Sequence, residues 1–257
     1  MNQTPSTVIR RAGILEQIRK AGKVQVDLLS TEFLVSEVTI RNDLTQLEKK
    51  GLLIRTRGGA IYRERVGLDY DFSEKQKKNF HLKEKIGARA ARYINEGDAI
   101  FLDSGSTTME IAKQLDGFAQ LTVITNALPI AGHLARYKNI KVIVPGGYLR
   151  ENSLSLVGSL AEQNTSGFFC DKLFLGVDGF DSRYGLTTPN PEEAQLNRTM
   201  IEHAQETIVV TDSSKFLHRS LALIAPISKI HTVITDRGIP SGEKEILQES
   251  GIQCILV

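Results

Sequence analysis

The spacing of apolar positions changes partway along the chain. From Val8 to Leu47 they recur with a helical period. Ile14 and Ile18 lie one turn apart with Leu15 beside them. This predicts a helix over 8–21 whose other faces carry Arg10, Arg11, Arg19 and Lys20, and which Gly22 stops. Val24–Val26 reads as a short extended piece. Asp27 can accept hydrogen bonds from the free amides that open a second, short helix ending near Phe33, with Leu29 and Phe33 on one side. Leu34-Val35 makes a tight connection, and Ser36 caps a third helix, with Thr39 and Asp43 favouring its first turns. There Ile40, Leu44 and Leu47 fall at i, i+4 and i+7 and point at the first two helices. Gly51 ends it. LLIRTRGGAIYR then gives two short extended runs about Arg57-Gly58-Gly59, a hairpin signal.

Past Lys85 the period shortens. Apolar runs at 99–102, 121–125, 141–145, 172–178, 207–212, 231–236 and 253–257 read as strands. Helices fit 83–95, 107–116, 127–137, 158–166, 191–205 and 242–250 between them. Such alternation implies a mainly parallel sheet covered on both faces. The stretch from Arg63 to Lys85 is charge-rich and poorly periodic. It reads as a linker over 63–82 that leads into a helix, and its lysines 75, 77, 78, 83 and 85 suit a solvated face or contacts to DNA. The predicted organisation is α/β with three parts: a head over 1–62, the linker over 63–82 and a body over 83–257.

Charge sharpens that division. Residues 1–65 hold 12 Lys/Arg against 7 Asp/Glu, and the remainder holds 20 against 23, so a basic head joins a mildly acidic body. No run of about 18 apolar residues exists, and the N-terminus lacks an apolar core of signal-peptide length. The expectation is a cytoplasmic protein with no membrane partner. Cys170 and Cys254 are isolated in apolar surroundings and read as buried reduced thiols. Neither a cofactor nor a metal site is expected.

Candidate chemistry lies at two places. On the third helix, the face opposite Ile40 and Leu44 carries Val38, Arg41, Asn42, Thr45 and Lys49. Arg41 suits a guanine edge or a phosphate, Asn42 an adenine edge and Val38 a thymine methyl. Arg55, Arg57 and Arg63 lie along the hairpin, placed for backbone phosphates or a minor groove. The expected DNA-contacting set is Ser36, Val38, Thr39, Arg41, Asn42, Thr45, Arg55 and Arg57. A small helical bundle with no such role has the same periodicity.

In the body, ligands should sit beyond the carboxyl ends of the strands. Asp103-Ser104-Gly105-Ser106-Thr107-Thr108 follows the first strand. Its hydroxyls and amides suit a phosphate, or equally serve as a plain helix cap. It has no P-loop lysine, and GxGxxG is absent from the chain. Asp103 would repel a phosphate and is read as a partner of a sugar hydroxyl or of the loop backbone. Thr125-Asn126, Pro145-Gly146-Gly147-Tyr148, the loop with Asp178, Asp181, Glu192 and Glu193, and Asp212 with Lys215 follow later strands. The acidic groups over 178–193 favour a hydroxyl- or amine-bearing ligand, an amino-sugar phosphate among them.

VSEVTIRNDLTQLEKKG and IRTRGGA resemble the winged helix-turn-helix of the DeoR-type bacterial regulators of sugar catabolism. LDSGSTT, TNA, PGGYL, LGVDGFD and TDSSKF, in that order, resemble the sensor domain of the same family. The resemblance covers about residues 8–257. It implies a sensor fold like that of ribose-phosphate isomerases and CoA transferases, and a phosphorylated sugar as effector. It puts Ser104, Gly105, Ser106, Thr107 and Thr108 on the phosphate, and Asn126, Gly146, Gly147, Asp178 and Lys215 around the sugar. The family's usual helix carries two arginines after Thr-Ile, where this chain has Arg41-Asn42. That departure leaves Arg41 a phosphate role and removes the ground for carrying a base preference to Asn42. The implied protein is a repressor of a carbohydrate operon, relieved by its effector and pairing as a dimer or tetramer on double-stranded operator DNA. The alternative is a sugar-phosphate isomerase or deaminase with an appended DNA-binding head. Against it, GLTTPNPEEA stands where the isomerases carry a lysine and a glycine-rich segment, and no histidine falls in the candidate loops. An architectural DNA binder would have no use for the aligned ligand loops.

Overall fold

The computed structural model describes residues 6–62 and 67–257, with side chains for all of these but Arg19, Lys20 and Ser241. The expectations for Arg63, Arg19 and Lys20 therefore lie outside the described residues or side chains. The chain divides into two compact units, Met1–Arg65 and Val66–Val257.

The first unit contains α1 (Thr7–Ala21), β1 (Lys23–Gln25), α2 (Val26–Phe33), α3 (Glu37–Lys49), β2 (Leu53–Thr56) and β3 (Gly59–Tyr62). Gly22, at φ 74°, ends α1 by returning its N–H to the Ile18 carbonyl. Leu34 takes a left-handed conformation (φ 53°) in the turn between α2 and α3, and the Ser36 hydroxyl caps α3 by accepting from the Thr39 N–H at 3.2 Å. The three strands form one antiparallel sheet with β3 in the middle. The paired glycines do different work. Gly58 supplies the positive φ of the hairpin turn, whereas a Cβ on Gly59 would lie 2.0 Å from the Val24 carbonyl oxygen. Ile14, Ile18, Leu29, Ile40, Leu44, Leu47 and Leu53 make the core. This is a winged helix-turn-helix.

One expectation is corrected here. Arg10 and Arg11 do not lie on an outer face of α1. Asp43 is 2% exposed, and it accepts from Arg10 Nε at 2.5 Å and from Arg11 Nε at 2.7 Å, tying α1 to α3. Asp43 is thus a core cross-link rather than a first-turn helix former.

The second unit opens with α4 (Phe72–Lys77) and α5 (Phe80–Ala91). Residues 67–82 are therefore not plain linker, and the helix expected at 83–95 begins three residues earlier. β4 (Ala99–Leu102), α6 (Ser106–Ala112), β5 (Leu121–Ile124), α7 (Leu128–Leu134) and β6 (Ile140–Ile143) follow. Next come the hairpin β7 (Tyr148–Arg150) and β8 (Ser155–Val157), then α8 (Ser159–Thr165), β9 (Cys170–Leu175), β10 (Gly179–Asp181), β11 (Gly185–Thr188), α9 (Pro191–Glu202) and β12 (Ala204–Val210). β13 (Ala222–Ala225), β14 (Thr232–Thr235), α10 (Ser241–Glu249) and β15 (Gln253–Leu256) complete the chain.

Seven strands form an all-parallel sheet in the order β15-β14-β12-β9-β4-β5-β6. Apolar side chains cover both faces, with Phe101, Leu173 and Leu175 packing on one and Ile100, Leu102 and Phe174 on the other. These seven are the strands the apolar runs predict. The β7–β8 hairpin and the antiparallel β10-β11-β13 sheet are additions. From β4 the chain builds outward through β5 to β6, then returns to place β9 on the other flank of β4. That reversal is the point where ligands gather in open parallel sheets. Cys170 is buried, and its thiol is pushed up to about 12 by burial and by neighbouring Asp171; Cys254, expected to be buried, is partly buried against the core. No helix among the described residues is long and apolar enough to cross a membrane.

Candidate functional site

At the reversal between β4 and β9 the body encloses a cavity of about 570 Å³, within the range of small-molecule sites. The loops after β4, β9 and β12 form its floor, α9 one side, and the segment from Tyr70 to Lys78 another. Of the residues expected to meet an effector, Asp103, Ser104, Gly105, Ser106, Thr107, Asp178 and Lys215 line it. Thr108 does not; its hydroxyl is spent on the Gly105 carbonyl at 3.0 Å.

Asn126, Gly146 and Gly147 are also off the cavity wall, for a reason outside their own loops. The β7–β8 hairpin packs against the segments that follow β5 and β6. Asn126 Nδ2 donates to the Leu156 carbonyl at 3.2 Å, and the Leu156 N–H donates to the Asn126 carbonyl at 2.8 Å. Gly147 has φ 115°, and a Cβ there would sit 2.5 Å from the Val157 carbonyl oxygen and 3.0 Å from the Ala161 methyl. Gly147 thus admits the protein's own backbone, whereas a Cβ on Gly146 would meet only the Asn164 side chain, at 3.9 Å. Asp181 is likewise outside the cavity: it accepts from the Arg183 and Tyr184 N–H groups in the β10–β11 turn.

The charges in the cavity are dense and only partly matched. Asp178 receives Lys75 Nζ at 2.9 Å and Lys215 Nζ at 3.4 Å. Burial pushes its carboxyl up, but Lys215 and Lys75 outweigh that and hold it down at about 2. Glu193, on α9, is held by Arg150 at 2.8 Å and by the Thr188 hydroxyl at 2.9 Å. Asp103 differs from both. It is 2% exposed, and one of its oxygens accepts from the Gly176 N–H at 3.2 Å, whereas Oδ1 has no partner. Burial, then the negative charge of Glu193, raises its pKa well above the usual carboxylate range. A buried oxygen lacking its hydrogen bond costs about 1–3 kcal/mol. A ligand hydroxyl or ammonium is the group that would remove that cost.

On the cationic side, sequence reasoning found Lys215 but missed Lys75 and Lys83. Lys75 is mostly buried rather than on a solvated face. Lys83 is 4% exposed, and its Nζ donates to the Lys75 carbonyl. Burial lowers the Lys83 pKa to about 8, opposed by Asp212 and helped by Lys215, Lys78 and Lys75. The overlooked signal is Tyr70 and Phe72 among the charges: two aromatics in five residues imply docking, and Phe72 packs on the core.

On the head, Val38, Arg41, Asn42, Arg55 and Arg57 are exposed and Thr39 and Thr45 half-buried. Arg41 is ion-paired with Glu37 one turn back. Arg55 donates to the Thr45 hydroxyl at 2.8 Å, and its N–H donates to Glu48 at 2.9 Å, which fastens the wing to α3.

A DNA-binding-type head and a body with a ligand-type cavity define a class of two-part chains, and comparison with known proteins narrows it. The DeoR-like helix-turn-helix domain matches residues 10–66, and the DeoR C-terminal sensor domain matches residues 78–237. A protein of Escherichia coli O157:H7 named as a candidate transcriptional repressor of the aga operon is 40% identical over 96% of this chain and 93% of its own. The transcriptional repressor AccR of Agrobacterium fabrum is 37% identical, with 91% of each chain covered. The regulator GlpR of Haloferax volcanii is 34% identical, with 96% of each covered. The ribose 5-phosphate isomerase of Methanocaldococcus jannaschii superposes at a TM-score of 0.41 with 18% identity over 55% of this chain and 56% of that one, too distant to inform the chemistry here. The chain belongs to the DeoR family.

Proposed function

We propose that this protein is a transcriptional repressor of a carbohydrate-catabolism operon, and that a phosphorylated sugar in the body cavity relieves repression. The observation that carries the effector half is the buried, unpartnered Oδ1 of Asp103, a residue in the wall of the lysine-lined cavity. A polyol hydroxyl, or the ammonium of an amino sugar, supplies the donor Asp103 lacks. Lys75, Lys83 and Lys215 supply charge for a phosphate, and Ser104, Ser106 and Thr107 supply hydroxyls. The names of the relatives support the regulatory half. On the head, α3 enters a major groove with Val38 and Asn42 toward base edges, while Arg41, Arg55 and Arg57 take phosphates. One such head reads few base pairs, so chains pair on repeated half-sites.

The test is a thermal-shift panel of hexose, pentose and amino-sugar phosphates against the full chain, with turnover scored in parallel. At least one should raise the melting temperature without being consumed. Asp103→Asn should cut the response about tenfold in ligand concentration while the chain stays as stable as the parent. No response from any member would count against the effector, and turnover would favour an isomerase or deaminase.

A further inference from the structure

The segment from Asp69 to Asn79 is a strap across the cavity, fixed at both ends to the rest of the body. At one end Asp69 is held by Arg150 and by Asn152 Nδ2 (2.8 Å), and the Phe72 N–H donates to the Asn152 carbonyl at 2.7 Å. At the other, Asn79 Nδ2 donates to Asp212 at 2.9 Å. Between these anchors Phe72 packs on the core and the Lys75 carbonyl accepts from Lys83 Nζ, while the Lys75 ammonium reaches into the cavity and bonds both oxygens of Asp178, at 2.9 and 3.0 Å. Lys75 and Asp178 both line the cavity, so a ligand anion entering it finds this lysine already taken.

We infer that an anionic polyol exchanges this ion pair: its phosphate takes Lys75, and the released Asp178, still held by Lys215, accepts a ligand hydroxyl. The inference rests on the phosphosugar reading of the cavity. Before exchange the middle of the strap is bound to the loop after β9; after it, to the ligand. Only residues 63–66 separate the last residue of the wing, Tyr62, from Gly67 at the start of the described body. The strap is therefore the stretch of chain through which occupancy reaches the winged helix, and Lys75 is its contact with the ligand.

The test is calorimetric titration of inorganic phosphate into the full chain and its variants, with hydrogen exchange of the amides of 69–79 followed in the same samples. Lys75→Met should weaken phosphate binding about tenfold and abolish the phosphate-dependent change in strap exchange, and Lys75→Arg should restore both. Asp178→Asn should strengthen binding several-fold, because it frees Lys75. In the Lys75→Met background it should change binding less than about twofold. If Lys75→Met binds like the parent, or the Asp178→Asn gain survives undiminished in the Lys75→Met background, the exchange is overturned while the phosphosugar reading stands. If the parent binds neither phosphate nor any phosphosugar, both fall together. Should Asp178→Asn fail to fold, the comparison of Lys75→Met with Lys75→Arg decides alone.

Discussion

Asp43 in the head and Asp103 in the body are equally buried, at 2% exposure each, but Asp43 meets two arginines whereas the charges acting on Asp103 are those of Glu193 and Asp178. Asp43 has both oxygens engaged, one by Arg10 and one by Arg11. Asp103 has one oxygen on the Gly176 N–H and the other on nothing. Burial is the same and satisfaction differs, and satisfaction separates a cross-link from a receptor. A complete ion cluster holds α1 against α3 so that the exposed face of α3 keeps a fixed orientation. A buried carboxyl with one oxygen unbonded leaves the body with a cost that a ligand can remove. The lysines divide in the same way: Lys172 is closed on Asp98 at 2.6 Å, away from the cavity, whereas Lys75 and Lys215 converge on one carboxylate beside open space.

The largest effect that would test this contrast is on Asp43. Asp43→Ala leaves the Arg10 guanidinium buried without its carboxylate and should cost the head about 3–5 kcal/mol. Urea melts combined with hydrogen exchange of α3 and the wing measure it. A loss under about 1 kcal/mol would make Asp43 an ordinary surface-type pair.

Lys83 gives the next effect. Its folded pKa, about 8, lies below its unfolded value of 10.5, so the unfolded chain binds the extra proton between those values. The penalty is full below pH 8 and fades as pH rises toward 10.5, so stability from this group increases with pH across that window, by on the order of 1–3 kcal/mol. Lys83→Met should remove that rise, measured as the difference between variant and parent in denaturant melts. It should also lower phosphate affinity below pH 8, where Lys83 carries its charge. An unchanged pH slope would mean the ammonium reaches water.

Arg41 gives the smallest effect on stability. Its pair with Glu37 is half exposed on both sides and contributes about 0.5 kcal/mol or less. Arg41→Ala should leave melting unchanged and weaken binding to a duplex selected by the protein from a random pool about tenfold, with the salt slope reduced by about 1. An unchanged slope would remove Arg41 from the phosphate contacts.

Much of this was legible in sequence because it is local. Each apolar run from 99–102 to 253–257 became a strand of the parallel sheet, since runs of β-branched residues buried on both faces leave little else. The Asp43 cross-link was missed, although phase carries the signal for it. Position 43 falls on the 40, 44, 47 stripe and position 10 on the 14, 18 stripe, so a carboxylate and a guanidinium were both aimed at the same core. The cavity was half legible. Loops after strands were findable, but which loops meet depends on strand order, which periodicity does not report. Gly146-Gly147 and Asn126 follow strands on the flank that the β7–β8 hairpin covers, and that hairpin has three-residue strands with no alternating pattern. The strap was hidden by its own lysines, whose apolar stems and paired heads look in sequence like a solvated face.

The most direct measurement is the affinity of the full chain for its selected duplex, by fluorescence anisotropy at fixed salt, with and without the sugar phosphate that gives the largest thermal shift. Occupancy of the cavity is predicted to weaken that affinity at least fivefold, and Asp103→Asn to move the effect to about tenfold higher ligand concentration while binding the duplex like the parent. A cavity shown to be filled, with duplex affinity unchanged, would contradict the coupling of body to head on which the account rests.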